Sequence, residues 1–404
     1  MNKSNFFSGQ PIFTQLLQYL PKAEVVNLAR KYKSDRYYKK FTTHCHLISM
    51  LYACFEHCTS LREVVTGMRA CEGKLQSLHL KALPARSTLS EANQYRNYEV
   101  FEAIYYHLFE RYRQFLADSR MKKDRLSRRL ILIDSTTISL FQEILKNAGP
   151  SKANGKRKGG IKVHMTVRAS EDIPGLVRLT PAAHNDTLFL RDLRIPKGSI
   201  VVMDRGYNGF DKLIEWNNTG VWWVTRLRSN TNYSVTAELP VAHSQRELGV
   251  VDDKHIVMGA PKKHIPKVKC RLVRYYDFDT KKDLVFITNN FRWPATKIAD
   301  IYKRRWQIEL LFKRLKQNTP LQYFLGDNEN AIKIQIFCAL IADLLLKMAT
   351  ASIKRAWSHS NLASLVRLHL MNYTNMTKFL EDPYHSTIID PIPKTQLDLF
   401  EPSG

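Results

Sequence analysis

Two runs of four apolar residues each end on an aspartate: Leu130-Ile131-Leu132-Ile133-Asp134 and Ile200-Val201-Val202-Met203-Asp204. Apolar runs this short read as buried β-strands, and a carboxylate set directly on one is costly to bury unless its charge is paired. Around them strand-like segments recur: LILIDSTTISL, KVHMTV, GLVRLTP, SIVVMDRG and VWWVTRL, with a helix-like FDKLIEW between the last two. Three strands followed by alternating helix and strand predict a mixed α/β layer. Two strand-borne carboxylates in one sheet can meet at adjacent strand ends and hold a divalent cation, because Mg²⁺ takes carboxylate oxygens. The alternative for each is a turn aspartate or a helix N-cap.

The rest of the chain divides by pattern. Residues 1–122 are read as helical, from the periodicity of FTQLLQYL, KAEVVNLARKY and HLISMLYACFEH. Thr88-x-x-Glu91 predicts a capping box for a helix carrying Ser87, Asn93, Gln94 and Arg96. That helix is either a reader of DNA bases or a surface helix of a bundle. A basic hinge, RMKKDRLSRR, leads into residues 123–230, the first part of the mixed layer. Residues 231–293 are strand-like and charged and predict a β-rich insertion. Residues 294–383 are helical, and 384–404 are expected to be loosely ordered. The apolar stretch IQIFCALIADLLL is interrupted by Asp343 and predicts a buried helix, since it is too short to span a bilayer.

The balance of 62 Lys and Arg against 37 Asp and Glu, a formal charge of +25, predicts a polyanionic partner, most simply nucleic acid. The start of the chain, MNKSNFFSGQPIF, lacks the apolar core of a secretory signal. Six cysteines in 404 residues do not make a disulfide scaffold, which suits a reducing compartment. Cys54 and Cys58, with Cys45, Cys71, His44, His46 and His57 nearby in sequence, raise a zinc site, although the paired CxxC spacing is missing and buried packing is the competing reading. The glycine-rich NGKRKGGIK lacks the ending of a phosphate-binding loop.

A third acid lies in IYKRRWQIELLFKRLKQ, which has no Pro or Gly and predicts one helix from Ile301. At about 100° per residue, Tyr302, Arg305, Glu309 and Lys316 fall within an arc of roughly 60°. Ile301, Ile308, Phe312 and Leu315 flank them and can pack on a sheet. A carboxylate between two cations and a phenol suits a phosphodiester held against a metal ion. The alternative is a solvated face on which Glu309 pairs with Lys313.

At these residues the chain resembles a known family. Tyr302, Arg305, Glu309 and Lys316 stand at the spacing of the YREK signature of the IS-four group of bacterial insertion-sequence DDE transposases, and IDSTTISLF around Asp134 and MDRGYNG around Asp204 are similar to its first and second acidic motifs. The resemblance implies a ribonuclease-H-like mixed sheet with flanking helices, interrupted by the β-rich insertion and preceded by an all-helical DNA-binding region. It implies cut-and-paste transposition through a DNA hairpin. Asp134, Asp204 and Glu309 would be the catalytic residues, binding Mg²⁺, with Mn²⁺ as a substitute. Arg305 and Lys316 would grip the terminal phosphate, Tyr302 would hydrogen-bond a neighbouring phosphate, and Trp306 would stack on an extruded base, unless it packs on the sheet. The implied partners are the element's terminal inverted repeats, target DNA and a second copy of the chain on synapsed ends. The implied location is the bacterial cytoplasm. A nuclease or resolvase on the same fold would need the acids but not the Tyr-Arg-Lys edge, whose presence argues for a transposase. A DNA-binding derivative would have lost an acid, and all three are present.

Overall fold

The computed structural model describes residues 9–80, 82–116, 124–139, 150–153, 156–171, 173–191, 193–259, 266–319, 321 and 323–384. The expected tail from residue 385 onward and the first part of the basic hinge lie outside them. The chain groups into two units: one of Met1–Leu108, Gln317–Leu325 and Ile334–Gly404, the other of Phe109–Lys316 and Gly326–Lys333. By pattern alone residues 334–383 go with the mixed layer; they cluster instead with the N-terminal helices.

The first unit is helical and is built around Thr43–Glu56. Every residue of this helix but the last is buried, Thr42 caps its start by accepting from the Cys45 amide, and His57 ends it in the left-handed region at φ 55°. Its apolar residues run all round, as expected of a helix surrounded by others. Cys45, Cys54 and Cys58 are buried free thiols, and His46 bonds the Asn93 carboxamide at 2.7 Å. The zinc reading thus gives way to core packing. The helix Arg86–Tyr95 starts at Ala85 with no side-chain cap. Thr88 lies inside it, so the predicted capping box is absent. Asn93 and Arg96 are each 1% exposed, which removes both from any base-reading surface. Asp343, the break in the apolar run, is buried and pairs with His359 at 3.1 Å. The run belongs to Glu329–Ala351, which has the length and apolarity of a membrane span; 83% of its most apolar window is buried in the protein.

The second unit holds a ten-stranded mixed sheet. Its strands are β1 (Leu130–Ser139), β2 (Pro150–Ala153), β3 (Lys156–Arg168), β4 (Pro174–Pro181), β5 (Ile200–Met203), β6 (Trp222–Arg226), β7 (Tyr233–Glu238), β8 (Val250–Met258), β9 (Val268–Asp277) and β10 (Lys282–Thr288). The order is β2-β3-β1-β5-β6-β10-β9-β8-β7, with β4 also paired to β3. The β1–β5 and β5–β6 pairs are parallel; the helix Phe210–Thr219 makes the β5-to-β6 crossover and ends at Gly220, φ 73°. Alternation along the strands sends Ile131, Ile133, Val201, Met203 and Trp223 into one core, together with Leu213 and Trp216 of that helix. The helix Ala295–Lys303 packs across β5, β6, β8, β9 and β10. The β-rich segment 231–293 is not a separate layer: β10 pairs antiparallel with β6, Ile287 opposite Thr225, and carries the main sheet onward through β9 and β8 to β7.

Candidate active site

Strands β1 and β5 run in parallel register up to the pair Ile133–Met203. The next residue on each is an acid, Asp134 and Asp204, so the two carboxylates project from neighbouring positions on one face. There β5 stops. Asp204 caps the single turn Arg205–Tyr207, its carboxylate accepting from the Gly206 amide at 3.4 Å. Asp204 thus caps a turn, as the alternative reading of it had it, from the position next to Asp134 in the parallel register. Strand β1 does not stop: it continues against β3, Asp134 opposite Met165, as far as Ser139. Asp134 therefore sits within a strand, at the point where β1 loses its parallel neighbour, rather than at a strand end as expected.

Glu309 arrives from a helix that is also not as predicted. The single helix expected from Ile301 is two, Ala295–Lys303 and Trp306–Asn318. Arg304 and Arg305 form a tightened turn between them, with Arg305 N bonding Tyr302 O at 2.9 Å and Ile308 N bonding Arg305 O at 3.1 Å. Both side chains of this turn are pulled sideways. Arg304 donates to Asp124 and to Ser127, each at 2.6 Å. Arg305 donates from Nη1 to Asp134 Oδ2 at 2.6 Å and from Nη2 to Glu309 Oε1 at 2.5 Å. One guanidinium thus joins the first and third acids. Glu309 is engaged by Arg305, in place of the Lys313 pair considered from sequence.

The remaining predicted residues surround this centre. Tyr302 is 8% exposed; its ring packs on Phe286 at 4.9 Å and lies under the Arg305 guanidinium at 5.6 Å. Lys316 Nζ donates to the carbonyl of Thr137 on β1 at 3.3 Å. Trp306 is 59% exposed, so the packing alternative for it fails.

Burial pushes the Asp134 carboxyl up to about 6; Arg305 and the Ser135 amide pull it down, while the charges of Asp204 and Glu309 push it further up. The three acids therefore share one field. Against burial, which would lower it, the charges of Tyr302, Asp134 and Glu309 hold the Arg305 guanidinium protonated. Among the described residues no three His, Cys, Asp or Glu side chains stand at metal-ligating distance from one another. The donor chemistry nevertheless fits a hard divalent cation: three carboxylates, one of them raised by burial and further by its fellow acids, with Arg305 as the present counter-charge for two.

Sequence reasoning missed the residues that hold the Asp204 turn. Arg228 donates to the carbonyls of Arg205 and Gly206, each at 2.7 Å. Asp186 pairs with Lys162 at 2.8 Å and lies so close to Gly206 that a Cβ there would stand 3.0 Å from Asp186 Oδ2. The only local signal was the glycine of MDRG, which marks a close approach without saying of what.

The mixed sheet thus carries two acids in register, with a third on the helix Trp306–Asn318 joined to the first through Arg305. Residues 125–345 match the family described as Transposase DDE domain, and the chain belongs to that family. Its members generally use divalent metal ions. Residues 8–81 match a domain of unknown function (DUF4372). The chain is 33% identical over 272 residues to a protein of Sinorhizobium fredii named as transposase y4zB, covering 66% of this chain and 72% of that one. It is 28% identical over 270 residues to a Synechocystis protein named as the transposase for insertion sequence element IS4SA, covering 65% and 71%. Among solved structures it is similar to the piggyBac transposase synaptic complex with hairpin DNA at a TM-score of 0.43 and 9% identity, over 99% of this chain and 86% of that one.

Proposed function

We propose that the chain is the transposase of a bacterial insertion sequence, and that it cuts and rejoins DNA by metal-dependent hydrolysis and transesterification of phosphodiesters through a hairpin intermediate. One observation carries the reading: Asp134 and Asp204 are neighbours in register while Arg305 ties Asp134 to Glu309, in a chain of the DDE transposase family. The strand order β4-β3-β1-β5-β6, with the first acid on its middle strand, supports a ribonuclease-H-like core.

Asp134, Asp204 and Glu309 would hold Mg²⁺, or Mn²⁺ in its place; bound there, the cation supplies Lewis acidity to a phosphoryl oxygen and lowers the pKa of the attacking water. Arg305 and Lys316 neutralise the oxygens of the terminal phosphate. Tyr302, beneath the guanidinium, holds Arg305 in place and offers its phenol to a phosphate beside it. Trp306, already exposed, stacks on an extruded base at the hairpin tip. Water first displaces the 3′-oxygen at the element's end. The freed 3′-hydroxyl attacks the opposite strand and closes a hairpin, a second water reopens it, and the 3′ end then attacks target DNA. Each step is the same in-line displacement, so one site serves all of them. The partners are the element's terminal inverted repeats, target DNA and a second copy of the chain on the synapsed ends, in the bacterial cytoplasm.

The test is strand cleavage of end DNA by purified protein with Mg²⁺, alongside Asp134→Asn, Asp204→Asn and Glu309→Gln. Each variant is expected to bind DNA and fail to cleave it. Asn at 204 can still cap the turn, which separates lost chemistry from lost structure. Ca²⁺ should support binding but little chemistry, because its larger, looser shell positions the attacking water poorly. Wild-type cleavage by any variant removes that residue from the site, and absence of cation-dependent cleavage by the parent protein ends the proposal.

A further inference from the structure

The segment Arg30 to Lys40, RKYKSDRYYKK, carries six cations and one acid, and all six cations are exposed. Such a run is ordinarily a solvated face. Here the fold builds it in a particular way. Asp35, the single acid, turns inward: its Oδ1 accepts from Thr43 N at 2.6 Å and from Thr43 Oγ1 at 2.8 Å. Arg96 lies 3.7 Å from the same oxygen. It is 1% exposed and donates to the carbonyls of Phe41 at 2.6 Å and Thr42 at 3.2 Å. Its guanidinium lies over the Tyr38 ring at 4.2 Å. Lys33 adopts the left-handed region at φ 52°, and the buried Ser34 bonds the Thr43 hydroxyl at 2.5 Å. These contacts fix the turn that leaves the helix Lys22–Lys31.

The outcome is a braced loop whose only negative charge, with its side chain 31% exposed, is engaged by Thr43 and Arg96. Its outer surface presents Lys33, Arg36, Lys39 and Lys40 without an acid among them. Tyr37 stands between them 82% exposed, with the Arg36 guanidinium over its ring at 5.4 Å. Holding like charges together on a braced turn is unfavourable in the free protein, and a large ring left in water contributes nothing to the core. A polyanion bearing flat rings satisfies both features, since phosphates take the cations and bases or sugars take the ring.

We infer that this loop is a DNA-docking surface: Lys33, Arg36, Lys39 and Lys40 contact backbone phosphates and Tyr37 packs on a sugar or base, with Arg96 as the internal brace. The inference deepens the transposase reading and rests on it for the identity of the polyanion. It adds a contact surface to the helix Arg86–Tyr95, whose Asn93, like the neighbouring Arg96, is spent on internal structure while Ser87 and Gln94 stay exposed.

The experiment measures binding of the full-length protein to a labelled duplex over a series of KCl concentrations. A quadruple variant, Lys33, Arg36, Lys39 and Lys40 each to Gln, is compared with a control of equal charge change, Lys267, Lys269, Lys281 and Lys282 each to Gln. The loop variant is expected to bind at least tenfold more weakly, with the slope of log affinity against log salt reduced by about 0.9 for each phosphate that is no longer neutralised. Tyr37→Ala should weaken binding and leave that slope unchanged. Parental affinity and slope in the loop variant, or an equal loss in the control, overturns the inference. So does a loop variant that loses RNA or anionic-vesicle binding while keeping duplex DNA. Strand cleavage by the parent protein at saturating DNA is scored separately, so a loop that fails to bind and a chain that fails to cleave are distinguishable results.

Discussion

Arg305 donates a 2.6 Å hydrogen bond to Asp134 across 171 residues of chain, and in doing so it stands between the acids proposed to hold the cation. In the structure the guanidinium compensates two carboxylates; under the proposed function it would turn to a phosphate when cation and DNA are bound.

Arg305→Ala should therefore separate stability from chemistry. In chelator it leaves Asp134 buried without its counter-charge, and urea unfolding is expected to show a loss of about 2 kcal/mol. Cleavage should fall far more than DNA binding. Arg305→Lys should recover part of the stability and little of the cleavage, because an ammonium cannot span two carboxylates or fork onto a phosphate. Unchanged unfolding together with unchanged cleavage in Arg305→Ala would mean that this face is merely solvated.

Gly206→Ala places a methyl 3.0 Å from the Asp186 carboxylate. Either the Asp186 carboxylate, paired with Lys162, or the turn itself has to give by a few tenths of an ångström, and Asp204 moves if the turn is the one to give. Cleavage should drop while DNA affinity stays near the parent value. A variant with parental cleavage would show that the turn absorbs the methyl without shifting Asp204.

Asn93→Ala tests the corrected role of that residue. Its side chain bonds His46 at 2.7 Å and the Leu325 carbonyl at 3.1 Å. Removing it leaves buried partners unsatisfied, at about 1–3 kcal/mol. A lowered melting temperature with unaltered preference between end and scrambled DNA is expected. Relaxed preference at full stability would restore the base-reading interpretation.

Burial pushes His164 and His44 down to about 4 each, from an unfolded value near 6.5. Both are neutral in the folded protein at pH 7. As pH falls from about 6.5 toward 4, the unfolded chain takes up protons that the folded one refuses, so stability is lost through that window, by up to about 3 kcal/mol for each histidine. Asp134, raised to about 6, acts in the opposite sense: its ionisation destabilises the metal-free protein as pH rises from about 4 to 6. Urea unfolding of His164→Gln at pH 7 and pH 5 isolates the histidine. The parent should lose more stability between the two than the variant, and equal losses would remove His164 from the acid response.

Several elements were legible along the chain because their cause is local. The two apolar runs ending in Asp134 and Asp204 form strands, since short β-branched runs have few other places to go. The crossover helix Phe210–Thr219 showed as the helix-like FDKLIEW between two strand runs. The third acid was named from type and spacing within one segment, and the fold joins it to Asp134 through Arg305. By itself, then, the sequence determined the strand-forming runs and the identity and order of the acids. Tertiary structure decided the rest. Whether Asp134 ends a strand depends on β5 stopping beside it while β3 goes on, a matter of which strands pair. At the break, Arg304 and Arg305 bond Asp124 and Asp134, and a wheel drawn on one segment contains no such partners. Residues 231–293 look separable because their own pattern is complete, yet β10 shares its hydrogen bonds with β6. Asn93 and Arg96 have the composition of a DNA-reading surface and are buried, because a polar side chain carries no mark of whether its partner is a base, water or a carbonyl brought to it by the fold.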